Sequence, residues 1–230
     1  GIRLRGLRGQ PPIMRGIVEI GIPSSFNLII RSGAGVLFMT IVAMHGTFAI
    51  ATYGIGMRID SIVDMPIYGL AMASSALVGQ NLGAKSPDRA EATAMSAAKI
   101  CALGMAGFGA LFFIMAPQIV SVFTDSSEVI AMGTSYLRIL VFSYVFIAYG
   151  IVLSLSLNGA GDTTPPLVNT AISLIGFQLP LALVLPKLGL GVNGLWLSMV
   201  IATVVYTLII LYVFKQGRWK QRRVWACLEQ

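Results

Sequence analysis

A run of forty residues from Tyr53 to Ala92, YGIGMRIDSIVDMPIYGLAMASSALVGQNLGAKSPDRAEA, opens apolar yet carries Arg58, Asp60 and Asp64 in its first turns, and it closes in a basic loop broken by glycine and proline. Charges inside so apolar a run restrict what the chain can become. If the run crosses a bilayer, each charge must face protein or a water-filled cavity, because an ionised side chain at mid-depth in lipid costs roughly 2.5 kcal/mol or more. Two readings follow. The charges are functional groups, or they form a buried ion pair that only orients helices.

Composition decides that the bilayer applies. The chain has 230 residues, 56% of them hydrophobic and 11% charged, with a mean hydropathy of +0.83, whereas soluble domains are about 25% charged. Its 25 glycines suit helices that approach closely in lipid. The fold class is therefore an all-α, polytopic membrane protein. The +7 net charge gathers at the ends, in Arg3, Arg5, Arg8 and Arg15 and in Lys215, Arg218, Lys220, Arg222 and Arg223. Such ends signal topology. A nucleic-acid patch is the alternative for them, but no soluble domain is present to carry one, so no nucleic-acid partner is expected. Cys101 and Cys227 do not make a disulfide framework. His45 is the sole histidine, which excludes a histidine metal cluster and leaves an interfacial residue at a helix end. No cofactor is implied.

Six segments are long enough to cross, since about 20 apolar residues suffice. They run over residues 17–44, 53–78, 92–115, 137–157, 167–185 and 192–214, between a basic segment 1–16 and a basic tail 215–230. The N-terminal stretch GIRLRGLRGQPPIMRG is short, basic and broken by two prolines, unlike a signal peptide. Ser86-Pro87-Asp88 supplies a cap and a first-turn proline for the third segment. Asp125 and Glu128 have capping-box spacing before the fourth, and Thr164-Pro165-Pro166 opens the fifth. Six crossings return the chain to its starting side, and the positive-inside rule makes both basic ends cytoplasmic in a plasma membrane. The loop with Lys85 and Arg89 then lies inside, and the loops at His45 and Asp125 lie outside. Lys187 on an outer loop is a small dissent.

Asp60 and Asp64, four apart, share a helix face, and Arg58 points elsewhere. At about 1.5 Å per residue, Arg31 lies roughly 20 Å and Asp64 roughly 18 Å below the outer ends of their segments. An Arg31–Asp64 pair near mid-membrane is the expectation, with Asp60 left to titrate or to bind a cation. Asn27 is a further polar group that lipid cannot satisfy. Tyr53, Tyr144 and Tyr149 are either polar handles in a cavity or interface anchors. Met39, Met57, Met65 and Met72 are either an adaptable wall or ordinary packing. Gly159-Ala160-Gly161-Asp162 has the G-x-G-D form of intramembrane aspartyl proteases. Here, however, a loop and a new helix start follow at once, and the motifs that accompany it in those enzymes are missing. An enzyme is not expected.

Four stretches carry a resemblance in consistent order: LVGQNLGAKSPDRA (Leu77 to Ala90), YLRI (Tyr136 to Ile139), NGAGDTTPP (Asn158 to Pro166) and GLGVNGLWLS (Gly189 to Ser198). Together with Arg58-Ile59-Asp60-Ser61 and Met65-Pro66, they resemble the marks of the multidrug and toxic compound extrusion (MATE) family over nearly the whole chain. The resemblance implies two six-helix lobes, of which this chain is similar to the C-terminal one. Its partner is then the N-terminal half of the same protein or a second copy, with membrane lipid around both. It further implies a cavity between the lobes, alternating access, and efflux of amphipathic, often cationic small organic substrates coupled to H+ or Na+. The residues marked as substrate- or ion-linked are Asn27, Arg31, Arg58, Asp60, Asp64 and Tyr144. Two departures stand out. NorM-type members carry a carboxylate where Arg31 stands, eight residues after a proline like Pro23, and an aspartate near Ile147. The chain thus looks closer to the DinF-like branch. A lipid-linked oligosaccharide flippase of the same superfamily and a non-transporting membrane scaffold are the alternatives.

Overall fold

The computed structural model describes residues 11–221, and the basic stretches outside that range, with the expectations that fall on them, are not described. Six helices follow one another: α1 (Pro11–Ala43), α2 (Thr47–Gly83), α3 (Pro87–Ser121), α4 (Ser127–Gly159), α5 (Thr164–Leu188) and α6 (Asn193–Lys215). Each is long and apolar enough to cross a membrane, and no strand occurs among the described residues. The chain is an all-α bundle of the class expected.

The helices overrun the apolar runs from which they are read, because the hydrogen-bonded ladder continues through polar residues until a cap or a left-handed residue stops it. α2 starts at Thr47, straight after Gly46 with φ of 97°. α4 starts at Ser127 instead of near residue 137. Its cap is Ser126 and not Asp125: the Val129 N–H donates to Ser126 Oγ at 3.5 Å, while Ser126 Oγ donates to Glu128 Oε2 at 3.0 Å. Pro87 does open α3, but Ser86 makes no side-chain cap and bonds the Ala84 carbonyl instead.

α2 and α4 form a tight seam. Gly159 lies so close to the Ser75 backbone that a Cβ there would collide with the Ser75 carbonyl, and the Ser74 and Ser156 hydroxyls meet at 2.9 Å. Small residues at a crossing let backbones approach where lipid gives no hydrophobic drive. Gly56 serves α4 in the same way, since a Cβ there would strike the Tyr136 ring.

α1 and α5 make a second, more polar pair. Asn27 Nδ2 donates to Thr170 Oγ1 at 3.1 Å, and Asn169 Nδ2 reaches the Tyr206 carbonyl on α6 at 2.8 Å. Within α5, residues Ile172–Gln178 wind as a π-helix. Pro180 follows at once. It has no N–H to give the Gly176 carbonyl and its ring crowds that group, so the ladder is already disturbed at this point.

After α6 a short 3₁₀ turn, Arg218–Gln221, folds back onto the bundle. Trp219 stacks on Phe214 with ring centroids 4.7 Å apart and donates its indole N–H to the Phe214 carbonyl at 2.8 Å. Lys220 Nζ then bonds Asp88 Oδ1 at 3.2 Å and Glu91 Oε2 at 2.5 Å on the first turns of α3. The start of the tail and the Lys85/Arg89 loop therefore share one end of the bundle.

Candidate functional site

α2 sets the centre of the site. Asp60 and Asp64 occupy adjacent turns of one face, and at about 1.5 Å per residue Asp60 lies roughly 20 Å from the Thr47 end of the helix. Both line a cavity of about 210 Å³ that also receives Tyr144 and Ile147 from α4, Ser173 and Gln178 from the π-helical part of α5, Tyr206 from α6 and Arg31 from α1. Four elements besides α2 thus converge on the two carboxylates.

Asp60 is held firmly. Tyr136 Oη donates to Asp60 Oδ2 at 2.5 Å. Tyr136 in turn stands edge-on to Trp196 with centroids 4.9 Å apart, Trp196 stacks over Tyr53 at 6.2 Å, and Tyr53 meets Phe38 at 5.3 Å. Residues from α4, α6, α2 and α1 therefore build one aromatic wall behind the carboxylate. Tyr144, almost wholly buried, lines the cavity with a hydroxyl that finds no hydrogen-bond partner. Such a group is costly unless something enters to bond it.

Arg31 and Asp64 are in the same cavity but not in contact. No ion pair joins the two among the described residues. The expected buried pair is corrected to a separated one. The cause is α1, which packs on α5 through the Asn27–Thr170 bond instead of lying along α2 at this depth. Arg31 also lines a second cavity of about 240 Å³, with Ser24 and Asn27 on α1, Asn158 at the end of α4, Thr163 before α5 and Tyr206 on α6.

Of the residues singled out in the sequence, Arg31, Asp60, Asp64 and Tyr144 share the first cavity, and Asn27 joins Arg31 in the second. Arg58 lines neither. It is exposed, because two residues along a helix place it about 200° round from Asp60. Asp162 lies in the turn between α4 and α5 rather than within a helix, and it does not line the cavity of Asp60 and Asp64. Three participants escaped the sequence reading. Tyr136 and Trp196 stood inside the YLRI and GLGVNGLWLS stretches as family marks only, and Tyr206 belonged to no motif.

A six-helix bundle with ionisable groups gathered round cavities at mid-depth defines a lobe of a polytopic transporter-like membrane protein. The MatE family model matches residues 23–184, and the chain belongs to that family. Among curated proteins it is similar to a probable multidrug resistance protein NorM of Thermotoga maritima, 26% identical over 209 residues, which cover 90% of this chain and 45% of the relative. It is 24% identical over 201 residues to a FAD transporter of Shewanella oneidensis, covering 86% of this chain and 43% of the relative. Among solved structures, it shares its fold with a MOP superfamily transporter from Pyrococcus furiosus described as having a binding pocket of reversed polarity. The TM-score is 0.88 at 24% identity, over 96% of this chain and 50% of that one. An outward-facing multidrug resistance MATE transporter gives a TM-score of 0.85 at 24% identity, over 100% and 50%. The chain thus spans about half the length of the proteins it matches.

Proposed function

We propose that this chain is one lobe of a cation-coupled antiporter that exports amphipathic, often cationic organic compounds by alternating access, with Asp60 as the ion-linked carboxylate and Asp64 beside it. The carrying observation is the cavity that Asp60, Asp64 and Tyr144 line together at mid-depth, where the buried Tyr144 hydroxyl has no hydrogen-bond partner among the described residues. Carboxylates there are worth their cost if a cation or proton comes and goes. The coupling ion is H+ or Na+. Arg31 and Ile147, where NorM-type members carry carboxylates, favour the DinF-like branch.

The same balance counts against the flippase, whose pyrophosphate-bearing substrate calls for more cations than the single arginine beside two aspartates. A scaffold would leave no reason for the open cavity. Catalysis is not part of this reading, because Asp162 and the α2 aspartates do not line a common cavity. The second lobe is the other half of the same protein or a second copy, which accords with coverage of about half of each relative. Both chain ends face the cytoplasm of a cell whose plasma membrane holds the protein. Cysteines placed near Lys85 and Lys220 should then be labelled from one side only.

Inverted vesicles carrying the whole transporter test the function. A cationic dye should accumulate under an imposed pH or Na+ gradient, and Asp60→Asn should abolish accumulation or change its pH dependence. Cleavage of a peptide without a gradient would favour the protease, and neither activity would favour the scaffold. Gradient-driven export by a strictly monomeric lobe would overturn the need for a second one.

A further inference from the structure

The second cavity differs in chemistry from the first. It lies toward the end of the bundle that holds the Lys85/Arg89 loop, between the first half of α1, the end of α4 and the start of α5. Among the described residues no carboxylate lines it and Arg31 is its only charged lining residue; Ser24, Asn27, Asn158 and Thr163 supply neutral polar groups. Arg31 is exposed to this space and has no ion-pair partner among the described residues. A guanidinium inside a membrane-spanning segment that makes no direct ion pair keeps its N–H fork open on this side, and a planar oxyanion is the ligand that fork fits. The volume of about 240 Å³ has room for a small oxyanion with part of its hydration.

We propose that the cavity lined by Arg31, Asn27, Asn158 and Thr163 binds an anionic group, a carboxylate or phosphate, so that the lobe takes amphipathic compounds bearing negative charge as well as cations. The proposal deepens the export reading and rests on it for the statement that the bound compound is cargo. The binding itself does not depend on transport. Arg31 and Tyr206 line both cavities, so one molecule with an acidic and a basic end can address the two at once. The anion comes from a dissolved compound or from a lipid headgroup, and the chemistry at Arg31 is the same in both cases.

The test uses the whole transporter in nanodiscs, without a gradient, titrated with dansylglycine and with its methyl ester, which share the fluorophore and differ in charge. In zwitterionic phosphatidylcholine discs the acid should bind about tenfold or more tighter than the ester, the size of one charge-assisted hydrogen bond. Arg31→Gln should erase that difference and Arg31→Lys should keep part of it. In discs rich in phosphatidylglycerol, weaker acid binding to the unaltered protein identifies headgroups as occupants. Unchanged binding identifies the dissolved anion. Equal affinity for acid and ester in the unaltered protein, or a preference that survives Arg31→Gln, overturns the proposal, and the first comparison needs no variant to fold. Failure of dye export with the acid preference intact would count against the antiporter alone.

Discussion

The α2–α4 seam and the α1–α5 pair lie in one bundle but hold together by different means. At the seam, glycine and serine bring two backbones into contact, and Asp60 is fixed by Tyr136 against an aromatic wall. In the α1–α5 pair the Asn27–Thr170 side-chain bond connects a helix that contains Pro23 to one with a π-helical run, and a Cβ added at Gly35 or Gly176 would meet nothing within 4 Å. Close packing tolerates almost no added volume, whereas sparse polar contact tolerates much. The charged groups divide the same way: Asp60 belongs to the packed part, and Arg31 stands on the open one.

The largest break in this contrast should come from adding one methyl group to each region. Gly159→Ala drives a Cβ into the Ser75 carbonyl and should cost about 1–3 kcal/mol, read as a lower melting temperature in detergent. Gly35→Ala, on α1, should be neutral or stabilise by up to about 1 kcal/mol, since alanine is the better helix former. Equal effects at the two sites would erase the distinction between the regions.

Hydrogen bonds should sort next. Tyr136→Phe takes the donor from Asp60 and leaves a largely buried carboxyl oxygen unsatisfied, which should cost about 1–3 kcal/mol. Asn27→Ala removes the link to Thr170 and should cost about 0.6 kcal/mol, the usual size for such bonds between membrane helices. Chemical denaturation of the two variants in the same detergent gives the ranking, and a reversed order would mean that α1 is the better-anchored helix.

A finer test concerns the two open charges. The separated Arg31 and Asp64 should couple by less than about 1 kcal/mol in a double-mutant cycle of Arg31→Met and Asp64→Leu, against the roughly 3–5 kcal/mol lost when a buried contact pair is broken. A coupling in the higher range would show that α1 closes on α2.

The smallest effect belongs to the bundle's end. The hydrogen bond to Glu91, then that to Asp88, holds the Lys220 ammonium above its usual range. A base whose folded value is raised contributes its stability below the unfolded value and loses it as pH rises through the folded one. On the alkaline side, the contact should thus persist through neutral pH and release in strongly alkaline buffer. Lys220→Met should change stability by less than about 1 kcal/mol at neutral pH, and the fluorescence of Trp219 should report the release.

Much of the fold is written in composition, because apolar runs of crossing length leave a chain few ways to satisfy its backbone in lipid. Asp60 and Asp64 were legible as one face because helical spacing alone decides it, and the same arithmetic turned Arg58 away. The pairing of Arg31 with Asp64 was misread because depth along two helices says nothing about how far apart they stand sideways, and the Asn27–Thr170 bond sets that distance. Tyr136 was hidden for another reason. Its partner lies 76 positions earlier in the chain, and no local pattern marks a hydroxyl that will meet a carboxylate across a crossing. The π-helical run left only Pro180 as its sign, and a proline alone does not say whether a helix will kink, break or widen.

Arg31 and Tyr206 line both cavities, so the two occupancies proposed above would be thermodynamically linked. On the readings proposed above, an anion seated against Arg31 would neutralise the guanidinium that also lines the cavity of the two aspartates, and a cation there would be held more tightly. Reciprocity requires the cation to tighten the anion by the same factor. A lobe whose two cavities take ligands of opposite sign as proposed would favour being doubly occupied or empty over being half filled.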